Sequence, residues 1–313
     1  MRYISELQEG DQVSEIYLCK VKSPGTSKFG KSFYSLSLQD KTGMIDGKVW
    51  ELTNAIGYFE TMDYILVRGQ VTSYQGSLQL NIQQIRKAQE GEYQMADYMP
   101  STKKDIEEMY QELLGMINKT EEPHLKKLAE MIFVEDKEFV KEFKVHSAAK
   151  SVHHGYIGGL LEHSLSVAKM CESYAALYPQ LNRDLIVTCA LWHDMGKVEE
   201  LSAFPENDYT DEGQLVGHIV MGAIKLDRLI NQIPGFPAKL ANEVKHCMLT
   251  HHGELEFGSP KKPALLEAIA LSQADNLDAK METFAEIIDK QKEDQEWSGF
   301  QRLLDTRIRK TSI

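Results

Sequence analysis

Two periodicities in one chain predict a multidomain protein, an N-terminal all-β barrel followed by an all-α domain. Residues 13–86 alternate apolar and polar side chains with the period of strands, whereas from about residue 103 apolar residues recur at helical spacing. The histidines divide the same way: none of the ten precedes His124, and nine lie from His146 onward. The 313 residues suffice for two cores at about 100–200 residues per domain. The expected division is a barrel at 1–90, a linker and helical connector at 91–145, and the second domain at 146–313.

Val13–Val21 is the first strand, followed by a Ser-Pro-Gly loop at 23–25. Tyr34, Leu36 and Leu38 then alternate with Ser35 and Ser37, and Asp40-Lys41-Thr42-Gly43 supplies a turn. Ile45, Gly47 and Val49 continue the alternation to Trp50, and residues 52–60 are expected as a short helix. Tyr64–Thr72 is the fourth strand. After a turn at Tyr74-Gln75-Gly76-Ser77, Leu78, Leu80 and Ile82 alternate with Gln79, Asn81 and Gln83. Five short strands with one small helix between the third and fourth are the layout of an OB barrel.

Residues 88–100 read as a linker closed by Pro100. Ser101 or Thr102 offers an N-cap for a helix over 103–118, whose first turns are acidic. Further helices are expected at about 123–133, 136–143, 160–178, 183–195, 217–232, 238–250 and 263–290. Leu161, Leu165, Ala168, Cys171, Ala175 and Tyr178 illustrate the spacing. The basic end formed by Arg302, Arg307, Arg309 and Lys310 reads as a solvated helix face.

The net charge is −12, which argues against a surface built for duplex DNA. The acidity is uneven. Residues 1–90 hold ten Lys/Arg and ten Asp/Glu, while 17–50 carry Lys20, Lys22, Lys28, Lys31, Lys41 and Lys48 against only Asp40 and Asp46. No stretch approaches the roughly 18 apolar residues that span a bilayer, and no charged-then-apolar leader opens the chain. Cys19, Cys171, Cys189 and Cys247 are far apart, without CxxC spacing. A cytoplasmic protein with no membrane partner is expected.

The chemistry-bearing residues of the helical part are His163, His193-Asp194, His218, His251-His252 and Asp275. His124, His146 and His246 read as ordinary histidines. A Trp-His-Asp run ending the apolar Leu185–Trp192 segment is costly to bury unless a cation compensates its charge. His193 and Asp194, adjacent on a helix, diverge by about 100° and can still share an ion. Nitrogen and oxygen donors alone disfavour a structural zinc site. Mn²⁺, Fe²⁺, Co²⁺, Mg²⁺ or a catalytic Zn²⁺ is expected instead. Seven candidate ligands exceed the needs of one ion. With Asp194 bridging, two ions about 3.5–4 Å apart would suit in-line phosphoryl displacement. Lys197, across a glycine from Asp194, is placed to hold a phosphate as a point charge.

Leu161-Glu162-His163-Ser164, Leu191-Trp192-His193-Asp194-Met195-Gly196-Lys197 and Asp275 together resemble the H…HD…D signature of the HD phosphohydrolase superfamily. The second domain is thereby expected to be an HD-type helical domain. His218 and His251-His252 match the extended two-metal pattern of HD-GYP-type members. Gly253, however, stands where that branch has an acidic residue and no GYP tripeptide follows, which argues against cyclic-di-GMP as substrate. An OB barrel ahead of such a domain, with Ala149–Leu160 (AKSVHHGYIGGL) leading into the first ligand, resembles the YhaM family of bacterial 3′→5′ exoribonucleases over almost the whole chain. The resemblance implies one ion on His163, His193, Asp194 and Asp275, and another on Asp194, His218, His251 and His252, with either member of the HH pair as the direct ligand. It also implies the exonucleolytic mode and its polarity. His153 and His154, with Lys150, are expected to contact phosphate or sugar.

The barrel interleaves Phe29, Phe33, Tyr34, Trp50 and Tyr74 with the lysines above. Aromatic faces stack bases and lysines track phosphates, a pairing suited to single strands. Phe33, on the strand face opposite Tyr34, is the stacking candidate, together with Trp50 and Lys31; Tyr34 belongs to the core. The expected partner is single-stranded RNA, with single-stranded DNA as a second class, and a homo-oligomer is compatible with the sequence. Two rival readings are a small-nucleotide phosphohydrolase, which needs no base-stacking platform, and a non-catalytic single-stranded DNA-binding replication factor, which needs no buried ligand set.

Overall fold

Period-2 alternation closes on itself in the first part of the chain. The computed structural model describes residues 1–26, 30–74, 77–150, 154–289, 291, 295–301 and 304–312. It divides into two units, Met1–Ser101 with Phe204–Glu206, and Thr102–Ala203 with Asn207–Ile313. In the first unit, strands β1 (Gln12–Thr26), β2 (Ser32–Asp40), β3 (Gly43–Val49), β4 (Tyr64–Tyr74) and β5 (Ser77–Lys87) form a closed barrel in the order β1-β2-β3-β5-β4. β1 pairs antiparallel with both β2 and β4. Among the described strands, only β3 and β5 pair in parallel, from Asp46 opposite Gln79 to Lys48 opposite Asn81. Closure leaves no edge strand to aggregate. Leu36, Leu38, Ile45, Val49, Ile65, Val67, Leu80 and Ile82 point inward as the alternation requires. This is the expected OB barrel.

The helix expected over 52–60 is absent. The backbone there bonds to β5 instead: Gly57 N donates to Ile85 O at 2.8 Å and Ile85 N to Ala55 O at 3.0 Å. Asn54 and Gly57 are weak helix formers, and the segment lays Phe59, 1% exposed, into the barrel core. Trp50 lies just past the end of β3.

The second unit is helical: α1 (Ile106–Asn118), α2 (Pro123–Glu130), α3 (Lys137–Val145), α4 (Gly159–Leu177), α5 (Arg183–Trp192), α6 (Lys197–Glu200), α7 (Asp211–Val216), α8 (His218–Ile230), α9 (Ala238–Thr250) and α10 (Leu266–Asp289). Asp105, rather than Ser101 or Thr102, caps α1 by accepting from Glu108 N. α2 runs on as a π-helical turn over Met131–Glu135. Leu113, Leu125, Phe133 and Phe143 from the first three helices share one core with α4 and α5. α5 is buried all round from Leu185 to Trp192, the mark of a central helix. The helix expected to 195 stops at Trp192, and residues 193–196 form turns. The basic end is not helical: Trp297 bridges Arg309 and Gln301 bridges Thr306, with Arg302 outside the described residues. Among the described residues, no helix is long and apolar enough to cross a membrane.

Candidate metal centre

Because α5 is central, its end delivers His193 and Asp194 into the interior at 0% and 1% exposure. They lie in the turn after the helix rather than on it, and Gly196 and Lys197 turn the chain into α6. His163 lies on α4, His218 opens α8, His251 and His252 follow the last residue of α9, and Asp275 lies on α10. Residues at or near the ends of α4, α5, α8 and α9 thus converge with one from within α10, as in bundle-core metal sites.

Asp194 sits between two sets of imidazoles. Its Oδ2 is 3.4 Å from His163 Nε2 and 3.4 Å from His193 Nε2. Asp275 Oδ1 closes that side at 3.1 Å from His163 Nε2 and 3.8 Å from His193 Nε2. Asp194 Oδ1 faces the other way, 3.6 Å from His218 Nε2 and 3.5 Å from His251 Nε2. His252 joins this second set: Asp194, His218, His251 and His252 offer ligand atoms within 4.8 Å of one another, as do His163, His193 and Asp275. All seven ligand candidates read from the sequence are therefore brought together, and both members of the HH pair reach the same set.

The tautomers follow from the acceptors. His193 Nδ1 lies 2.8 Å from Ala190 O, His251 Nδ1 2.7 Å from Met248 O and His252 Nδ1 2.8 Å from Phe257 O. A carbonyl only accepts, so each Nδ1 holds the proton and each Nε2 presents a lone pair. Asp278 Oδ2, 2.7 Å from His163 Nδ1, and Glu200 Oε1, 2.8 Å from His218 Nδ1, impose the same tautomer. Such backing is what metal-bound histidines use. The Nε2 atoms of His163 and His193 face each other at 3.2 Å. Among the described residues, Asp194 Oδ1, His218 Nε2 and His251 Nε2 are buried without a hydrogen-bond partner. Each such orphan costs about 1–3 kcal/mol. Converging lone pairs and carboxylates fit divalent cations, whose charge removes that penalty.

The charges agree. Burial alone would raise the Asp194 carboxyl, but the Lys197 charge and the neighbouring imidazoles of His193 and His163 hold it well below the carboxylate range. Asp275 behaves likewise, with His163 as its main stabiliser. Burial opposes charge on His163, yet Asp194, Asp275 and Asp278 raise it well above the ordinary imidazole range. Carboxylates that draw a proton to that position also draw a cation. Burial lowers His251 and His252, favouring the neutral, ligating form.

Other expected site residues fare differently. Lys197 Nζ lies 2.6 Å from Asp194 Oδ2, an ion pair with a ligand candidate. His154, expected on substrate, is 2% exposed and spends both ring nitrogens internally, on Tyr156 Oη and Asp278 Oδ2, each at 2.9 Å. Lys150 is exposed and pairs with Asp208 at 2.6 Å, and His153 lies outside the described residues. Asp278 and Glu200 were not expected. Asp278 carried one signal, its position three residues after Asp275 on one helical face. Glu200 carried none.

In the barrel, Phe33 and Trp50 form a tilted pair with centroids 5.0 Å apart, and Trp50 is 47% exposed. Lys31 is exposed near Glu51, at 4.0 Å, and Lys48 Nζ sits 6.0 Å from the Phe33 ring. Three lysines expected to track phosphates have internal work. Lys22 donates to Phe59 O at 2.6 Å, Lys20 to the carbonyls of Pro205 and Glu206, and Lys41 pairs with Asp97. Lys28 and Phe29 lie outside the described residues.

Comparison with known proteins agrees with both halves of this description. The family model described as the HD domain matches residues 160–280, and that described as an OB-fold nucleic acid binding domain matches residues 20–88. The 3′-5′ exoribonuclease YhaM of Geobacillus sp. (strain WCH70) is 33% identical over 291 residues, covering 92% of this chain and 89% of the relative. That of Bacillus velezensis is 34% identical over 275 residues, covering 87% and 86%. Among solved structures, the HD domain of the L. monocytogenes phosphodiesterase PgpH aligns at 20% identity over 49% of this chain and 80% of its own, with a TM-score of 0.32.

Proposed function

The chain belongs to the YhaM family of 3′-5′ exoribonucleases, and on that premise we propose a metal-dependent enzyme that degrades single-stranded RNA from the 3′ end to nucleoside monophosphates. Single-stranded DNA is its second substrate class. The observation that carries the reading is Asp194, whose two oxygens face two separate imidazole sets. His163, His193 and Asp275 would hold one cation with Oδ2, and His218, His251 and His252 a second with Oδ1. Such a pair, with Mn²⁺ as the first choice, supplies Lewis-acid stabilisation of phosphoryl oxygens and a nucleophile at neutral pH. Asp278 and Glu200 keep His163 and His218 aimed inward. Lys197 offers the phosphate a point charge next to Asp194. Cys19, Cys171, Cys189 and Cys247, all free and buried, support a reducing, cytoplasmic setting.

The barrel's part is to hold bases. Base–aromatic stacking is worth about 1–3 kcal/mol per base, so Trp50→Ala is expected to weaken single-strand binding roughly five- to 150-fold. Turnover of bis(p-nitrophenyl) phosphate, which has no base, stays unchanged. Fluorescence anisotropy with a labelled oligonucleotide checks the first part and colorimetry the second. A Trp50→Ala protein that binds as well as wild type removes Trp50 from the interface.

The experiment that tests the whole reading is digestion of 3′- and 5′-labelled RNA with Mn²⁺ and after chelation. Immediate release of a labelled mononucleotide from the 3′ end, a shrinking ladder from the 5′ label, and silence after chelation are expected. Internal cuts, or activity untouched by chelation, refute it. Hydrolysis of free nucleotides with intact RNA would instead favour the small-nucleotide reading, and absence of hydrolysis with tight binding the DNA-binding one.

A further inference from the structure

Behind His163 runs a chain of buried and half-buried polar groups that the ligand set does not require. Asp278 Oδ2 lies 2.7 Å from His163 Nδ1 and 2.9 Å from His154 Nε2, so two imidazoles converge on one carboxylate oxygen. The side chains of His154, His163 and Asp278 are 3%, 4% and 13% exposed. His154 Nδ1 reaches Tyr156 Oη at 2.9 Å, and that hydroxyl lies 3.1 Å from Glu162 Oε2 and 3.3 Å from Glu282 Oε1. Glu162 is itself pinned, accepting from Thr102 Oγ1 at 2.5 Å and pairing with Lys104 Nζ at 2.8 Å. His154 holds a left-handed backbone, φ 58°, a conformation that persists in non-glycine residues where surrounding contacts over-determine it.

Two functions suit such a triad. His154, His163 and Asp278 offer ligand atoms within 4.8 Å of one another and could take an ion of their own. That would require His163 Nδ1 as ligand, whereas the same ring serves the main centre through Nε2 only while Nδ1 keeps its proton for Asp278. One imidazole supplying both sites would have to be an imidazolate. The geometry instead matches a carboxylate that orients a metal-bound histidine, with a second histidine orienting the carboxylate.

We propose that Asp278, braced by His154 and Tyr156, is a positioning residue that fixes the tautomer and direction of His163 and so sets how tightly the centre holds its cation. The proposal rests on the metal-dependent reading above. It concerns binding, and is tested by binding.

The probe is Mn²⁺ alone, titrated into the metal-free full-length protein by calorimetry, with free Mn²⁺ counted by electron paramagnetic resonance. Asp278→Asn is expected to weaken the affinity about 10–100-fold, the usual effect of losing such a partner, with thermal unfolding of the metal-free protein recorded alongside to show that the variant is folded. Asp278→Glu restores part of the loss. His154→Gln, which keeps a donor toward Asp278, loses less than Asp278→Asn, and it serves as the test if Asp278→Asn fails to fold. Asp278→Asn affinity within twofold of wild type, an unfolded Asp278→Asn with unchanged binding in His154→Gln, or a third Mn²⁺ lost with Asp278 overturns the positioning role. A wild type that binds no Mn²⁺ overturns the metal-dependent reading, and the positioning role with it.

Discussion

Asp194→Asn is expected to lower RNA hydrolysis by about three orders of magnitude or more while single-strand binding is retained. Removing one preorganised electrostatic group from a reacting centre typically costs about 10²–10³ in rate. Asp194 serves two groups at once, since Oδ2 faces His163 and His193 while Oδ1 faces His218 and His251. Asparagine keeps the volume but removes the charge, so on the proposed reading it would not serve two cations, and it does not balance Lys197 Nζ at 2.6 Å. That second loss has its own penalty, because breaking a buried ion pair destabilises by about 3–5 kcal/mol. Stability and rate must therefore be measured on the same preparation. Thermal unfolding gives the first, single-turnover cleavage of 3′-labelled RNA the second, and anisotropy the binding. The barrel, a separate unit with its own core, retains its grip on the oligonucleotide. Cleavage within tenfold of wild type in a folded Asp194→Asn protein would end the assignment of this centre.

What the sequence discloses is what repeats or clusters. Alternation at Leu36, Leu38, Ile45 and Val49 marks strands because every second side chain must face the barrel interior. The His/Asp set is legible because burying charge beside an apolar helix demands compensation. Features settled by tertiary contact leave little trace. Residues 52–60 have a composition open to several conformations, and pairing of Gly57 with Ile85 decides among them. Glu200 matters only because the turn from α6 brings its carboxylate to His218 Nδ1 at 2.8 Å. The sequence places His154 on phosphate or sugar, and only the fold shows it turned inward onto Asp278. Asp278 was within reach, since a carboxylate one helical turn from the ligand candidate Asp275 shares its face.

Gly196→Ala is expected to damage the candidate centre without replacing any of its ligand candidates. Its φ of −67° and ψ of −18° suit any residue, so the requirement is one of space. A Cβ at 196 would meet His218 O at 2.2 Å and Gly222 N at 3.0 Å. Both are backbone atoms of the first turns of α8, and neither can swing aside as a side-chain tip could. The turn carrying His193 and Asp194 must then part from the helix carrying His218. Overpacking of this kind costs about 1–3 kcal/mol, and misplacing a reacting group by about 1 Å costs roughly 10²-fold in rate. A fall of about two orders of magnitude in hydrolysis, with a lowered unfolding midpoint, is the expected result. Gly115→Ala is the matched control: the site lies within α1 with nothing inside 4 Å of the added carbon. There the substitution should stabilise by about 0.5–1 kcal/mol and leave the rate alone. If Gly196→Ala cleaves and melts like wild type, α8 can yield without cost, and the close approach of its first turn to the His193-Asp194 turn is not what holds His218 in place.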